Sequence, residues 1–306
     1  MRVAGIDCGT NSIRLLVADV VPGSGLVDVV REMKVVRLGQ DVDRTGRLAP
    51  EAIERTRVAL TEYAATIGRL GVERVRMTAT SATRDASNRA DFVTMVRAAL
   101  GTDPEVITGA EEAALSFTGA ISGLRGVRGS LLVADIGGGS TELVLGGGEL
   151  EGLRSHSMDV GCVRMTERHL HDDPPTAVQI EATVADLNAA IDRAALDVPL
   201  NRAGTFVGVA GTVTTVAAIA LGLDHYDAEA IHGSVLSAQT VHEVVDRLLG
   251  MTREERTAIS VMHPGRVDVI GGGALVLRTL MQRTGAAEIV VSEHDILDGI
   301  ALSLLR

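Results

Sequence analysis

One short pattern occurs twice in this chain and constrains its fold more than any other feature. Residues 5–18 read GIDCGTNSIRLLVA, and residues 133–146 read VADIGGGSTELVLG. Each copy is an apolar run that ends in Asp, a turn that contains glycine, and a second apolar run, which is typical of a β-hairpin. When the two copies are aligned at an offset of 128 residues, four pairs are identical: Asp7 and Asp135, Gly9 and Gly137, Ser12 and Ser140, and Leu15 and Leu143.

The segments that follow the two copies are also alike. Each copy is followed by a third apolar run, a helical pattern, a further strand pattern and further helices. After the first copy we predict strands at 26–39, 73–80 and 104–107 and helices at 50–70, 88–100 and 110–123. After the second copy we predict strands at 148–156, 205–210 and 288–292 and helices at 175–196 and 295–305.

Two such units in succession predict a duplicated α/β fold. The glycine-rich stretch LRGVRG at 124–129 is the expected boundary, so the predicted domains are residues 1–125 and 126–306, and the last helix can pack back on the first domain. Because both hairpin turns offer backbone amides, we expect a ligand in a cleft between the domains. A chance repeat with so few identities is the alternative.

Charge and hydropathy exclude several partners. The net charge is −11 and Lys34 is the only lysine, so the sequence has no basic footprint for nucleic acid. No apolar run approaches the roughly 20 residues of a membrane span, and the N-terminus lacks a signal-peptide pattern. We therefore expect a cytoplasmic protein that binds neither membranes nor nucleic acid. A polyanionic ligand would have to be held locally, by amides, arginines and a divalent cation.

The glycine triplet fits neither common nucleotide fingerprint. A dinucleotide-binding G-x-G-x-x-G motif opens a helix, whereas this triplet is followed by a strand pattern. The chain also contains no G-K-[ST] sequence of a P-loop. Three motifs in order, IDCGTNSIRLLV, ITGAEEA at 107–113 and DIGGGSTELVLG, resemble the exopolyphosphatase and guanosine pentaphosphate phosphatase (Ppx/GppA) family. The resemblance extends over essentially the whole chain, in the compact two-domain form. It implies two ribonuclease H-like domains of the actin-like ATPase type.

Two adjacent glutamates have different predicted roles. Thr108 and Glu111 fit a capping box at a helix start, which gives Glu111 a structural role. Glu112 then lacks a local role, and a carboxylate in a first helical turn beside a phosphate can accept a proton from attacking water. The resemblance also points to the second glutamate as the catalytic residue. A pair that merely favours the helix start is the alternative.

Three other carboxylates are candidate metal ligands. Asp135 and Glu142 flank the GGGST turn, and carboxylates beside phosphates repel them unless a cation intervenes. Mg²⁺, with Mn²⁺ as an alternative, uses one or two carboxylates plus phosphate oxygens. The resemblance implies that Asp135 and Glu142 lie at the metal and water end of the site. Asp7 is the equivalent residue of the first hairpin and a weaker candidate. Turn capping by the aspartates and a solvent-facing Glu142 are the alternatives.

The predicted phosphate cradle combines turn amides with one arginine. Glycines permit close backbone approach to an anion, and a guanidinium suits phosphate oxygens. Arg84, in a polar loop after a strand, resembles the family's phosphate-binding arginine, although a solvated loop arginine is the alternative. The complete predicted set is Thr10, Asn11, Ser12, Arg84, Asn88, Gly137, Gly138, Gly139, Ser140, Thr141, Gly211 and Thr212.

The resemblance predicts Mg²⁺-dependent hydrolysis of the terminal phosphoanhydride of inorganic polyphosphate, by a homodimer. Hydrolysis of guanosine pentaphosphate to the tetraphosphate is the alternative within the family, because the motifs do not separate the two substrates. A sugar or acid kinase of the same superfamily is less favoured, since such kinases use an aspartate base. A non-catalytic polyphosphate or alarmone sensor is disfavoured because the expected acidic and glycine positions are all filled.

Overall fold

The computed structural model describes residues 1–21, 25–124, 127, 129–148 and 152–305. Two compact units are present, Met1–Gly119 with Ile296–Arg306, and Ala120–Asp295. The predicted domain boundary after residue 125 lies outside the described residues, so the limits 1–125 and 126–306 stay a prediction.

The first unit contains one five-stranded sheet. Its order is β3-β2-β1-β4-β5, in which β1 pairs antiparallel with β2 and parallel with β4. The elements are β1 (Arg2–Cys8), β2 (Ser12–Val21), β3 (Gly25–Val35), α1 (Val42–Thr45), α2 (Pro50–Arg69), β4 (Arg74–Ala79), α3 (Ser81–Asp85), α4 (Arg89–Leu100), β5 (Glu105–Val106) and α5 (Gly109–Ser122).

The second unit repeats this topology and adds one edge strand. Its sheet order is β10-β11-β9-β6-β7-β8, with β6 antiparallel to β7 and parallel to β9. The elements are β6 (Ser130–Ile136), β7 (Thr141–Gly147), β8 (Arg154–Met158), α6 (Cys162–His169), α7 (Ala177–Asp197), β9 (Thr205–Val209), α8 (Ala210–Ala220), α9 (Ala228–Ile231), β10 (Val235–Ser237), α10 (Ala238–Gly250), α11 (Arg253–Thr257), α12 (Ile270–Thr284) and β11 (Glu288–Val291). The chain ends in α13 (Ile296–Ser303).

The duplication is therefore structural as well as sequential. In both hairpins the first glycine of the turn donates to a serine carbonyl, Gly9 to Ser12 and Gly137 to Ser140, at 3.0 Å in each case. The predicted elements are found close to their expected positions. The strand predicted at 148–156 begins later, at Arg154, and residues 149–151 of that prediction lie outside the described residues.

The final helix packs within the first unit. Val3 and Leu16 of the sheet form a buried cluster with Leu297 and Ala301 of α13, while Tyr63 and Phe92 belong to the core on α2 and α4. A Cβ on Gly5 would lie 3.2 Å from the Leu297 carbonyl oxygen, so the missing side chain lets α13 approach β1 closely. No helix among the described residues is long and apolar enough to cross a membrane.

Candidate active site

In the first unit, three neighbouring strands end at one edge of the sheet. The turn at residues 9–11 follows β1, α3 follows β4, and α5 follows β5. Backbone bonds align these ends, because Thr80 N–H donates to the Cys8 carbonyl and Ile107 N–H donates to that of Ala79, both at 3.2 Å. Ligands of α/β sheets bind at the carboxyl ends of the strands. Several predicted residues therefore lie at this edge.

Glu112 lies in the first turn of α5 and is only 6% exposed. Its Oε2 accepts a 2.6 Å hydrogen bond from Arg84 Nη1, which also donates to the Ile107 carbonyl at 3.1 Å. The structure thus brings together the predicted base and the predicted phosphate-binding arginine. A guanidinium at this distance stabilises the charged form of the carboxylate.

Glu111 has a different environment from its neighbour. Its backbone N–H donates to Thr108 Oγ1 at 3.2 Å, which is the hydroxyl half of the predicted capping box. Its carboxylate accepts from Arg76 at 2.7 Å and its side chain is 45% exposed. The two adjacent glutamates are therefore distinguished by partner and by burial.

The segment predicted as a polar loop around Arg84 contains a short helix, α3. Asn88 beyond it makes two bonds to one backbone position, since Oδ1 accepts from Leu48 N–H at 2.8 Å and Nδ2 donates to the Leu48 carbonyl at 3.0 Å. Nδ2 also donates to Asp91 at 3.3 Å. The structure thus gives the Asn88 side chain a structural role, and its place in the phosphate site stays a prediction.

The first hairpin turn is fixed by its own polar groups. Thr10 Oγ1 shares a 2.8 Å hydrogen bond with Ser81 Oγ, and both residues are buried. The carbonyl of Asn11 accepts from Val36 and Arg37, and Ser12 begins β2. These hydrogen bonds fix the conformation of the turn.

In the second hairpin, the carbonyls of the glycine triplet bind the start of α6. Cys162 N–H donates to the Gly137 carbonyl at 2.9 Å, and Val163 and Arg164 donate to that of Gly138 at 2.9 and 3.1 Å. Arg164 Nε donates to the Gly139 carbonyl at 2.7 Å. These bonds fix the conformation of the predicted phosphate loop.

The two residues after the triplet are both buried. Ser140 is 2% exposed, and Thr141 is fully buried. Thr141 Oγ1 donates to the Val160 carbonyl at 2.7 Å, so its hydroxyl links the hairpin to the segment that precedes α6. Any contribution of Thr141 to phosphate binding is thus not through this hydroxyl proton.

The candidate metal carboxylates are paired across strands. Asp135 on β6 lies directly opposite Glu142 on β7, and they are 6% and 1% exposed. Like charges directly opposite in a sheet are destabilising, so this arrangement favours a bound cation. In the first hairpin Asp7 lies opposite Arg14, whose Nη2 donates to Asp7 Oδ2 at 2.6 Å. Asp7 is accordingly a weaker candidate, and the burial of Glu142 rules out the solvent-facing alternative.

These two carboxylates fit one class of cation. Among the described residues no group of three or more His, Cys, Asp or Glu side chains is arranged as a metal site. A protein cage such as those that hold structural zinc is therefore not formed by these residues. Two carboxylate ligands suit Mg²⁺ or Mn²⁺, which take their remaining ligands from water and phosphate oxygens.

Gly211 and Thr212 lie in the first turn of α8, after β9. Ala210 adopts a left-handed φ of 67°, which is uncommon for a residue with a side chain and marks a sharp turn from strand to helix. A Cβ on Gly211 would lie 2.1 Å from Arg266 Nη2, so the guanidinium packs directly against the glycine backbone. Arg266 Nη1 also donates to Thr215 at 3.0 Å.

Arg266 was not predicted from the sequence, and nothing in its local pattern VMHPGRVDV indicates a partner 55 residues earlier in the chain. Arg164 was missed for the same reason. Arg266 adds a cation at the predicted turn of the second unit. Burial raises the pKa of the nearby Cys162 thiol to about 11, and the charge of Arg266 opposes this only in part.

These features define a duplicated α/β protein with two glycine-containing hairpin turns and a buried pair of carboxylates. A model of the Ppx/GppA phosphatase family matches residues 16–306. "Exopolyphosphatase 2" of Mycobacterium tuberculosis is 54% identical over 99% of this chain and 98% of that protein. The "Guanosine-5'-triphosphate,3'-diphosphate pyrophosphatase" of Vibrio cholerae is 30% identical over 88% of this chain but only 50% of that protein.

Solved structures agree with this assignment. An exopolyphosphatase-like protein of known crystal structure is 46% identical in sequence to this chain. Its structure matches with a TM-score of 0.95 over 99% of this chain and 97% of that chain. The Aquifex aeolicus Ppx/GppA family member is 31% identical, with a TM-score of 0.81 over 100% and 97%. The chain belongs to the Ppx/GppA phosphatase family and has its two-domain, actin-like fold.

Proposed function

We propose that this chain is an exopolyphosphatase that hydrolyses the terminal phosphoanhydride bond of inorganic polyphosphate. The observation that carries the proposal is the buried Glu112 carboxylate, held by Arg84 at the carboxyl edge of the first sheet. The near full-length similarity to a mycobacterial exopolyphosphatase supports the same activity.

In the proposed reaction a water oxygen attacks the terminal phosphorus while the bridging P–O bond breaks. Glu112 orients this water and takes its proton, and orthophosphate leaves the shortened chain. Arg84 binds the oxygens of the terminal phosphoryl group. A positioned carboxylate base contributes roughly 10²–10⁴-fold to such a rate.

A divalent cation, Mg²⁺ or Mn²⁺, would be held by Asp135 and Glu142. When bound, it would neutralise phosphate charge in the transition state. The chain's own contribution is to keep two carboxylates side by side on adjacent strands. Arg266, Gly211 and Thr212 would supply further positive potential to the polyanion from α8 and the segment before α12.

The second candidate is hydrolysis of guanosine pentaphosphate, which the similarity to the Vibrio cholerae protein favours. That protein is about twice as long as the matched region, so its activity is the less supported of the two. The homodimer and the cytoplasmic location stay predictions.

The test is a phosphate-release assay on short polyphosphate, long polyphosphate and guanosine pentaphosphate in parallel, with and without EDTA. We expect release from polyphosphate that EDTA abolishes and added Mg²⁺ or Mn²⁺ restores. Release only from guanosine pentaphosphate would support the second candidate. No release from any of the three would refute both, and ATP consumption only with a sugar or acid would indicate a kinase.

A further inference from the structure

A row of three polar side chains crosses the second sheet. Asp135 on β6, Glu142 on β7 and Ser157 on β8 lie directly opposite one another in successive strand pairs. Directly paired residues project from the same face of a sheet. Ser157 Oγ donates to Glu142 Oε1 at 2.7 Å.

The corresponding row in the first unit is chemically different. There Asp7 lies opposite Arg14, and Arg14 lies opposite Met33 on β3. The first unit thus pairs its carboxylate with a guanidinium from the neighbouring strand. The second unit replaces the guanidinium with a carboxylate and the thioether with a hydroxyl. The repeat has retained the aspartate and changed both neighbours in a way that favours a cation.

A carboxylate ligand needs a fixed orientation to bind a cation well. Glu142 has three side-chain torsions, and a hydrogen bond to one oxygen restricts the rotation of its carboxylate. Residues that hydrogen-bond metal ligands typically change metal affinity by 10–100-fold when they are removed. The 2.7 Å bond to a 1% exposed carboxylate places Ser157 in this position.

We propose that Ser157 is a positioning residue, which orients Glu142 for a divalent cation shared with Asp135. The proposal rests on the cation site of the proposed function. Ser157 itself contacts neither substrate nor cation and acts through Glu142. In the first unit the guanidinium of Arg14 binds Oδ2 of Asp7, so the cation site is proposed for the carboxylate pair of the second unit.

The test compares Ser157→Ala with Ser155→Ala. Ser155 lies on the same strand and face but opposite Val144, so its substitution removes a hydroxyl of the same kind from an apolar neighbour. Mn²⁺ binding is measured by electron paramagnetic resonance and calorimetry, with and without orthophosphate. We expect 10–100-fold weaker binding for Ser157→Ala, near-normal binding for Ser155→Ala, and recovery in Ser157→Thr.

Activity provides a separate readout. Ser157→Ala is expected to need 10–100-fold more metal for half-maximal phosphate release and to approach the wild-type kcat at saturating metal. Ser157→Ala that binds Mn²⁺ as tightly as the wild type would overturn the proposal, as would a wild-type protein that binds no Mn²⁺ under either condition. Wild-type protein that binds Mn²⁺ but releases no phosphate would instead refute the proposed function and leave the role of Ser157 intact.

Discussion

At the scale of single residues, partners distinguish side chains that the sequence presents as equals. Glu111 and Glu112 are adjacent in one helical turn. Glu111 is half-exposed and pairs with Arg76, whereas Glu112 is buried and pairs with Arg84. Asn88 and Arg84 were both predicted to bind phosphate from the same short segment. Their partners differ, because the Asn88 amide binds the backbone of Leu48 and Arg84 binds the carboxylate of Glu112.

Asn88→Ala tests this distinction. Its removal leaves the Leu48 N–H and carbonyl without their side-chain partner, which costs about 1–3 kcal/mol. We expect a lower free energy of unfolding in urea with KM for polyphosphate unchanged. A raised KM without loss of stability would instead support the predicted phosphate role of Asn88.

Cys162 gives a prediction that depends on pH. Burial raises its pKa to about 11, so below that value the thiol stays protonated and the reactive thiolate is lost as pH falls. Near pH 8 the Cys162 thiol is therefore almost wholly protonated, whereas an ordinary exposed cysteine, with a pKa of about 8.5, is partly a thiolate. Native protein should react slowly with a thiol reagent and urea-unfolded protein quickly. Equal rates in the two states would show that the thiol is accessible.

At the scale of elements, the sequence predicted the strands and helices whose formation depends on residues that are neighbours along the chain. Hairpins follow from alternating apolar runs and turn glycines, and α2 follows from Pro50 and a helical period. The positions of Ser157, Arg164 and Arg266 against the predicted turns depend on which strands and helices pack together. No local pattern encodes such long-range contacts, so sequence reasoning missed all three.

The contact between α6 and the glycine triplet depends on Gly161. Its φ of −164° is extended backbone that any residue adopts, but a Cβ there would lie 2.5 Å from the Gly138 carbonyl oxygen. We expect Gly161→Ala to displace the phosphate loop, to cost about 1–3 kcal/mol and to reduce phosphate release. Gly250→Ala is the control, since a Cβ at Gly250 meets nothing within 4 Å. Equal effects of the two changes would contradict the packing argument.

At the scale of the whole molecule, the chain repeats one topology and returns its last helix to the first unit. Charge holds this helix in addition to apolar packing. Arg31 on β3 donates to both oxygens of Asp298 on α13, at 2.6 and 3.2 Å, and Asp298 is 2% exposed. The C-terminus is therefore part of the first unit's core, which sequence patterns could suggest but not establish.

Arg31→Ala would leave the Asp298 carboxylate buried without this guanidinium. We expect a loss of roughly 3 kcal/mol in unfolding free energy, at the lower end for a buried pair because Arg31 is itself 32% exposed. Arg57→Ala removes a solvent-exposed pair with Glu54 and should leave the free energy of unfolding almost unchanged. Denaturant unfolding of the two variants measures the difference. Similar small losses would show that α13 does not depend on this pair.

The central claim is that Glu112 is the catalytic base of a polyphosphate hydrolase. The most direct measurement is phosphate release from polyphosphate by the wild type, Glu112→Gln and Glu111→Gln, with polyphosphate binding measured in the same samples. We predict that Glu112→Gln loses about 10²–10⁴-fold in kcat and still binds polyphosphate, whereas Glu111→Gln stays within a few-fold of the wild type. An active Glu112→Gln beside an inactive Glu111→Gln would contradict the account.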